Sequence, residues 1–185
     1  MRAEIGAGRR NVDMGWRNAM DDVFQWILDH CDRTYRRGNW AGRGVLPALE
    51  GVDGTAAHWR PHPEQHTIAE IVLHIAYWKD AAGARLAGRP WTYDEQQDWR
   101  QVAATESGWA QAHRELDAAH ERLMADLRAL GADRLLAPLP KVEGEARTLR
   151  AIDLAMDIAT HDHYHAAQIF VLKRLRTGAV APSQA

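Results

Sequence analysis

Four long stretches of the chain place apolar residues at the spacing of one helix face, and none sustains the two-residue alternation of a strand. They cover about residues 13–37, 67–83, 107–130 and 149–176, and the second stretch could extend to residue 88. Segments rich in glycine and proline lie between them. A helix with one apolar face must bury that face, and four such helices can do so against one another. The sequence therefore predicts an all-α fold, a four-helix bundle.

Length, charge and cysteine content define the broad class of protein. With 185 residues, the chain can bury one ordinary core, so we expect a single domain over 1–185 with its core in about 13–176 and flexible ends. A net charge of −2 gives no bulk attraction to nucleic acid or to an anionic membrane. No apolar run reaches the roughly 20 residues of a membrane span. The first residues lack the apolar stretch of a signal peptide, and Cys31 is the single cysteine, so we expect a cytoplasmic protein.

The last predicted helix carries three histidines in the stretch THDHYHAAQ, residues 160–168. On a helical wheel, His161 and His165 fall inside the apolar stripe with Gln168, whereas His163 points to the opposite side. Histidines four residues apart lie one turn apart on the same face, so both rings can reach one metal ion. The pattern predicts a metal-ligating pair, with two hydrogen-bonded core histidines as the alternative.

A third ligand is predicted from the second helix, where His74 lies in the middle of the apolar stripe. Three neutral imidazoles with an open fourth position are typical of catalytic metal sites. Such ligands suit Zn, Ni, Cu or Fe in the +2 state, and the residues do not select one of these ions. A di-iron carboxylate bundle is a weak alternative, because it needs Glu-x-x-His pairs and none occurs on the four predicted helices.

The stretches HTIAEIVLHIAYW and THDHYHAAQI resemble the second-helix and last-helix motifs of the DinB/YfiT-like superfamily of four-helix metal proteins. The linking stretches GNWAGRG, LPALEG and AAHWRPHP are also similar to that family, so the resemblance covers most of residues 14–176. It implies that His74, His161 and His165 bind a divalent transition metal. Zn or Ni is the expected ion, and Fe or Mn is the alternative.

Relatives of known activity use a low-molecular-weight thiol, as bacillithiol S-transferases and a mycothiol-dependent maleylpyruvate isomerase do. The resemblance implies a metal-dependent enzyme that activates such a thiol (S-transferase type) or water (hydrolase type) for a small-molecule substrate, and homodimers are common among relatives. Gln168, Tyr164 and Asp157 are predicted helpers at the site. Ala166 and Ala167 replace the Arg-Gly that is common in relatives, which removes a charged donor. The alternative is a non-catalytic protein that binds a metal or a small ligand.

Several other residues have predicted roles of their own. Thr67 and Glu70 fit a capping box at the start of the second helix. We expect Trp78 and Trp109 to hold the substrate. Residues expected to be structural are His58, His62 and His66 in a proline-interrupted segment, His113 and His120 in the third helix, and Cys31 as a buried, inert thiol.

Overall fold

The structure, a computed structural model, describes the backbone of residues 5–142 and 146–180 and the side chains of residues 15–142 and 146–178. Within these ranges the only sheet is a two-stranded antiparallel hairpin, and the other elements are helices. In chain order the elements are α1 (Ile5–Arg36), β1 (Gly38–Asn39), β2 (Gly42–Arg43), α2 (Val45–Leu49), α3 (Gly54–His58), α4 (Ile68–Leu86), α5 (Glu95–Asp98), α6 (Glu106–Leu130), a 3-10 turn (Ala132–Arg134) and α7 (Ala151–Val180).

Four long helices, α1, α4, α6 and α7, form a bundle. α4 packs against α6 and α7, and α1 packs against α7 and α6. The buried apolar side chains form two clusters, one of which also includes the short helices α2 and α3. The prediction of an all-α four-helix bundle is therefore confirmed. Among the described residues, no helix is long and apolar enough to cross a membrane.

α4 begins where the sequence predicts it, because Thr67 and Glu70 close both halves of a capping box. Thr67 Oγ1 accepts a hydrogen bond from the Glu70 backbone N–H at 3.2 Å, and Glu70 Oε2 accepts one from the Thr67 backbone N–H at 2.7 Å. These bonds satisfy backbone donors that the start of a helix leaves unpaired. They fix the start of α4, and His74 follows about two turns later.

The sequence pattern of α1 predicts one buried stripe, made of Trp16, Met20, Val23, Ile27 and Thr34, and the structure buries only part of it. Phe24, Ile27 and Cys31 are buried, whereas Val23 is 41% exposed and Trp16 is 69% exposed. Ile27 and Thr34 of the predicted stripe are buried, so the buried face overlaps that stripe but is centred nearer to Phe24 and Cys31 than to Val23. The prediction that Trp16 and Val23 lie on the buried stripe is wrong.

α5 lies in a segment that the sequence predicts to be a loop. Its first turn is capped by Asp94, whose carboxylate accepts a hydrogen bond from the Gln96 backbone N–H at 2.9 Å. A helix of four residues is about one turn long, so it has no periodicity by which the sequence could reveal it. α5 packs against α4 and brings Asp98 and Trp99 to His74.

A buried ion pair joins α4 to α7 beside the histidines. Lys79 Nζ lies 2.6 Å from Asp162 Oδ2, and the two residues are 0% and 1% exposed. The ring of Tyr35 lies 5.0 Å from Lys79 Nζ, and the ring of His120 stacks on Tyr35 at 4.0 Å. Burial raises the pKa of Asp162, while the neighbouring ammonium of Lys79 acts in the opposite direction. The pair ties the helix of His74 to the helix of His161 and His165.

Candidate metal centre

The three histidines predicted as ligands converge between α4 and α7. His161 Nε2 lies 3.1 Å from His74 Nε2 and 3.0 Å from His165 Nε2. One nitrogen from each ring lies within 4.8 Å of the others. Among the described residues, these three histidines form the one cluster of His, Cys, Asp or Glu side chains with a spacing that could hold a metal ion. His74 and His165 are buried, and His161 is partly exposed. His161 and His165 thus lie on the same face of α7, as their spacing of four residues predicts.

Two of the three rings are oriented by oxygen atoms at their second nitrogen. His165 Nδ1 lies 2.7 Å from Oε1 of Gln168, one turn further along α7. His74 Nδ1 lies 2.6 Å from Oδ1 of Asp98, without the alignment of a hydrogen bond, so this contact is a short-range electrostatic one. Both oxygens favour a proton on Nδ1 and leave the lone pair on Nε2, which is the arrangement around metal-ligating histidines.

The three imidazole nitrogens fit the coordination of a metal ion better than they fit hydrogen bonds among neutral rings. With Nδ1 protonated in His74 and His165, their Nε2 atoms present lone pairs toward His161 Nε2. His161 carries at most one proton on that nitrogen, which cannot serve two aligned hydrogen bonds. Nδ1 of His161 is buried and has no hydrogen-bond partner among the described residues. A cation that accepts three imidazole lone pairs would relieve the crowding of the Nε2 atoms.

The pKa values of the three histidines are all lowered from their ordinary value, which keeps the rings neutral at pH 7. Burial, together with the neighbouring rings of His165 and His74, lowers the pKa of His161 to about 3. Burial and the neighbouring His74 lower the pKa of His165 to about 4, although the hydrogen bond that its Nδ1 donates to Gln168 acts in the opposite direction. Burial also lowers the pKa of His74, although Asp98 opposes it. Neutral imidazole is the form that ligates a metal.

Trp99 and Asp98 contact His74, and the sequence pattern did not identify either of them. The Trp99 ring stacks between the rings of His74 and His66, at 3.8 Å and 3.6 Å. Asp98 is buried and faces His74 Nδ1. The signal that could have identified them is the acidic and aromatic stretch YDEQQDW, residues 93–99 in the segment between α4 and α6, but its position in space is set by the folding of that segment over α4.

The predicted helpers occupy different positions. Gln168 contacts the triad directly, as described above. Tyr164 is 60% exposed, and its ring lies 5.0 Å from that of His165. Asp157 is exposed and lines a cavity with His161, but it makes no hydrogen bond to the buried Nδ1 of that ring. Tyr164 and Asp157 thus lie beside the site rather than in contact with its nitrogens.

Ala166 and Ala167, the two positions at which the sequence departs from the family motif, differ in their burial. Ala166 is fully buried in the apolar cluster of α4 and α6, and Ala167 is exposed in a surface groove beside Gln168. A methyl group therefore fills the place at which relatives commonly carry an arginine.

Two of the residues expected to be structural, His120 and Cys31, are buried in the bundle outside the triad, and His66 is an exception because it reaches His74 through Trp99. His120 is fully buried against Tyr35, and burial lowers its pKa to about 3. Cys31 is buried, its Sγ lies 3.4 Å from the carbonyl oxygen of Ala155, and burial raises its pKa to about 12, as suits an inert thiol. The exception is His66, which stacks on Trp99.

A cavity of about 400 Å³ opens beside His161. Its walls are mainly apolar and include Trp78 from α4 and Trp91 and Tyr93 from the loop that follows. Trp78 lines this cavity together with His161, and its contact with a substrate stays a prediction. Trp109 does not, because it is buried in the other apolar cluster and its indole N–H donates to the Val52 carbonyl at 3.0 Å.

The fold and the three converging imidazoles place the chain among the helical-bundle proteins with a candidate metal site. The sequence model of the DinB superfamily matches residues 37–169, which is more than half of the chain. The chain belongs to the DinB superfamily. The comparison with curated proteins finds no match.

Replacing Asp98 with asparagine, which exchanges the carboxylate for a neutral amide, is expected to weaken Zn²⁺ binding by about 10–100-fold, the usual effect of mutating a residue that orients a ligating histidine. The amide leaves the proton of His74 Nδ1 without a carboxylate to hold it. Competition with a chromophoric chelator measures the affinity. Asp80→Asn is the matched control, because Asp80 pairs with Arg122 at 2.9 Å on the surface of the same bundle. Equal affinities of Asp98→Asn and the native chain would contradict this role.

Proposed function

We propose that the chain is a metal-dependent enzyme of the S-transferase type, which joins a low-molecular-weight thiol to a small electrophile. The observation that carries the proposal is the double position of His161, which belongs both to the triad and to the wall of the apolar cavity. A divalent ion such as Zn²⁺ or Ni²⁺, held by His74, His161 and His165, would supply the positive charge that lowers the pKa of a thiol.

The residues of the chain orient the site and shape its surroundings. Asp98 and Gln168 hold two rings by their Nδ1 atoms, so that the Nε2 atoms face one another. Burial keeps the rings neutral and therefore able to ligate. The aromatic walls beside His161 exclude water from the electrophile, which strengthens electrostatic effects at the reacting atoms.

In the proposed step, the thiol sulfur forms a bond to the electrophilic carbon while the bond from that carbon to its leaving group breaks. The leaving group departs with the electron pair of the broken bond. The thiol proton passes to solvent at the mouth of the cavity, where the exposed carboxylate of Asp157 can accept it first.

Hydrolysis is the second candidate function, and the position of Asp157 favours it. This carboxylate lines the same cavity as His161 and could accept a proton from an attacking water. A chain that held the metal without turnover would instead be a binding protein.

The proposal is tested by turnover of N-acetylcysteine with monochlorobimane, a neutral electrophile that becomes fluorescent when sulfur displaces chloride. We expect the Zn²⁺- or Ni²⁺-loaded protein to accelerate the reaction, and chelation to return the rate to that without protein. The variant His165→Ala is expected to lose the acceleration, because it removes one of the three converging nitrogens.

His163→Ala is the matched control, since this histidine lies on the same helix but outside the triad. It is expected to retain the rate of the native protein. Acceleration that survives chelation would contradict the proposal. Hydrolysis of p-nitrophenyl acetate without thiol transfer would favour the hydrolase, and a full metal complement with neither activity would favour the binding protein.

A further inference from the structure

The cavity beside His161 has an unusual concentration of aromatic side chains. The rings of Trp78 and Trp91 lie 5.7 Å apart, and those of Trp78 and Tyr93 lie 6.1 Å apart. Tyr77 packs against Trp78 and Trp91 at 5.6 Å and 5.7 Å. These rings meet at different angles, so they offer both faces and edges to an occupant, and aromatic partners favour such contacts.

The aromatic wall is held in place by the fold. The hydroxyl of Tyr77 accepts a hydrogen bond from the Asp94 backbone N–H at 2.8 Å. Both terminal nitrogens of Arg89 donate to the carboxylate of Asp126 at 2.7 Å, which fixes the start of the same loop on α6. The cavity is therefore preformed, and its occupant loses little binding energy to ordering the loop.

Two charged side chains, those of Arg85 and Asp157, line the cavity, and the other lining residues are mainly apolar. Arg85 donates from Nη2 to the carbonyl oxygen of Pro140 at 3.2 Å, which draws its guanidinium toward the neighbouring loop. Asp157 is exposed and lies at the rim. Leu154 and Ile158 line the cavity together with His161. A ligand that filled this space with polar groups would have to give up hydration without compensating hydrogen bonds.

The aromatic wall is also connected to the triad. The Tyr93 hydroxyl donates to Asp98 Oδ2 at 3.2 Å, and Asp98 Oδ1 faces His74 Nδ1. One segment of the chain, residues 88–99, therefore supplies part of the cavity wall and the carboxylate that orients a candidate ligand. This arrangement places the cavity within the same functional unit as the three histidines.

We infer that the cavity binds an apolar aromatic group of the electrophilic substrate and presents the reactive end of that molecule to His161. The volume of about 400 Å³ accommodates one or two fused rings and lies within the range of small-molecule pockets. The identity of the reactive end rests on the proposed function, whereas the preference for an aromatic ring rests on the cavity alone.

Isothermal titration of the Zn²⁺-loaded protein with 2-naphthylmethanol tests this inference, with decahydro-2-naphthylmethanol as the saturated analogue. We expect the aromatic probe to bind about three- to tenfold more tightly than the saturated one. Trp91→Ala is expected to weaken binding of the aromatic probe by about tenfold while its Zn²⁺ content remains that of the native chain.

Trp40→Ala is the matched control, because Trp40 is 99% exposed at the tip of the hairpin between β1 and β2. Equal affinity for the two probes, or an affinity that Trp91→Ala leaves unchanged, would overturn the inference. If the probe binds in a Trp91-dependent way and no thiol is transferred, the proposed function fails and the inference stands. If thiol is transferred and probe binding is indifferent to Trp91, the inference alone fails.

Discussion

Replacing His161 with alanine is expected to abolish stoichiometric metal binding and to lower the affinity for Zn²⁺ by at least about 100-fold. Its Nε2 atom lies between those of His74 and His165, at 3.1 Å and 3.0 Å, so it is the central donor of the group. Loss of an orienting residue alone costs about 10–100-fold, and loss of a ligand costs at least the upper end of that range. Elemental analysis of protein purified without chelator measures the metal content.

His163→Ala again provides the matched control, because it removes the same side chain from the same helix two residues away. Its metal content is expected to equal that of the native chain. A full complement of metal in His161→Ala would show that the three converging nitrogens are not the metal site. Circular dichroism checks that both variants retain the helical fold.

Replacing Lys79 with methionine is expected to destabilise the fold by about 3–5 kcal/mol, the usual effect of leaving one charge of a buried ion pair unmatched. Lys79 and Asp162 are 0% and 1% exposed, and their charged atoms lie 2.6 Å apart. Burial already raises the pKa of Asp162, so without Lys79 this carboxyl would have to fold protonated or remain unpaired. Urea denaturation at pH 7 measures the free energy of unfolding.

Two further variants separate the buried charge from the loss of side-chain volume. Lys79→Met combined with Asp162→Leu removes both charges and is expected to recover most of the stability. Arg122→Met removes an exposed ion pair with Asp80 and is expected to cost at most about 1 kcal/mol. Equal destabilisation by Arg122→Met and Lys79→Met would contradict the role assigned to the buried pair.

The triad could be predicted from the sequence because its geometry follows from helical phase. His161 and His165 are four residues apart on a helix without proline, so their positions on one face do not depend on tertiary structure. His74 follows a capping box that fixes the start of its helix. The family match over residues 37–169 agrees with the resemblance read from the same motifs.

The surroundings of the triad could not be predicted in the same way, because they depend on how a loop folds. Asp98 and Trp99 belong to a four-residue helix and its end, which carry no periodic signal, and they reach His74 only after the segment turns back over α4. The face that α1 buries depends on its contacts with α7 and α6, and these contacts bury Ile27 but leave Val23 exposed. Trp109 and Trp78 both lie on the apolar stripe of a predicted helix. Only the tertiary structure shows that Trp78 lines the cavity and that Trp109 is buried in the core.

X-ray absorption spectroscopy of the metal-loaded native chain tests most directly whether the three histidines form one metal site. The convergence of His74, His161 and His165 predicts three imidazole ligands on each ion, and His165→Ala is expected to show two at most. A spectrum of the native chain with fewer than three imidazoles, or with a sulfur ligand from Cys31, would contradict the assignment.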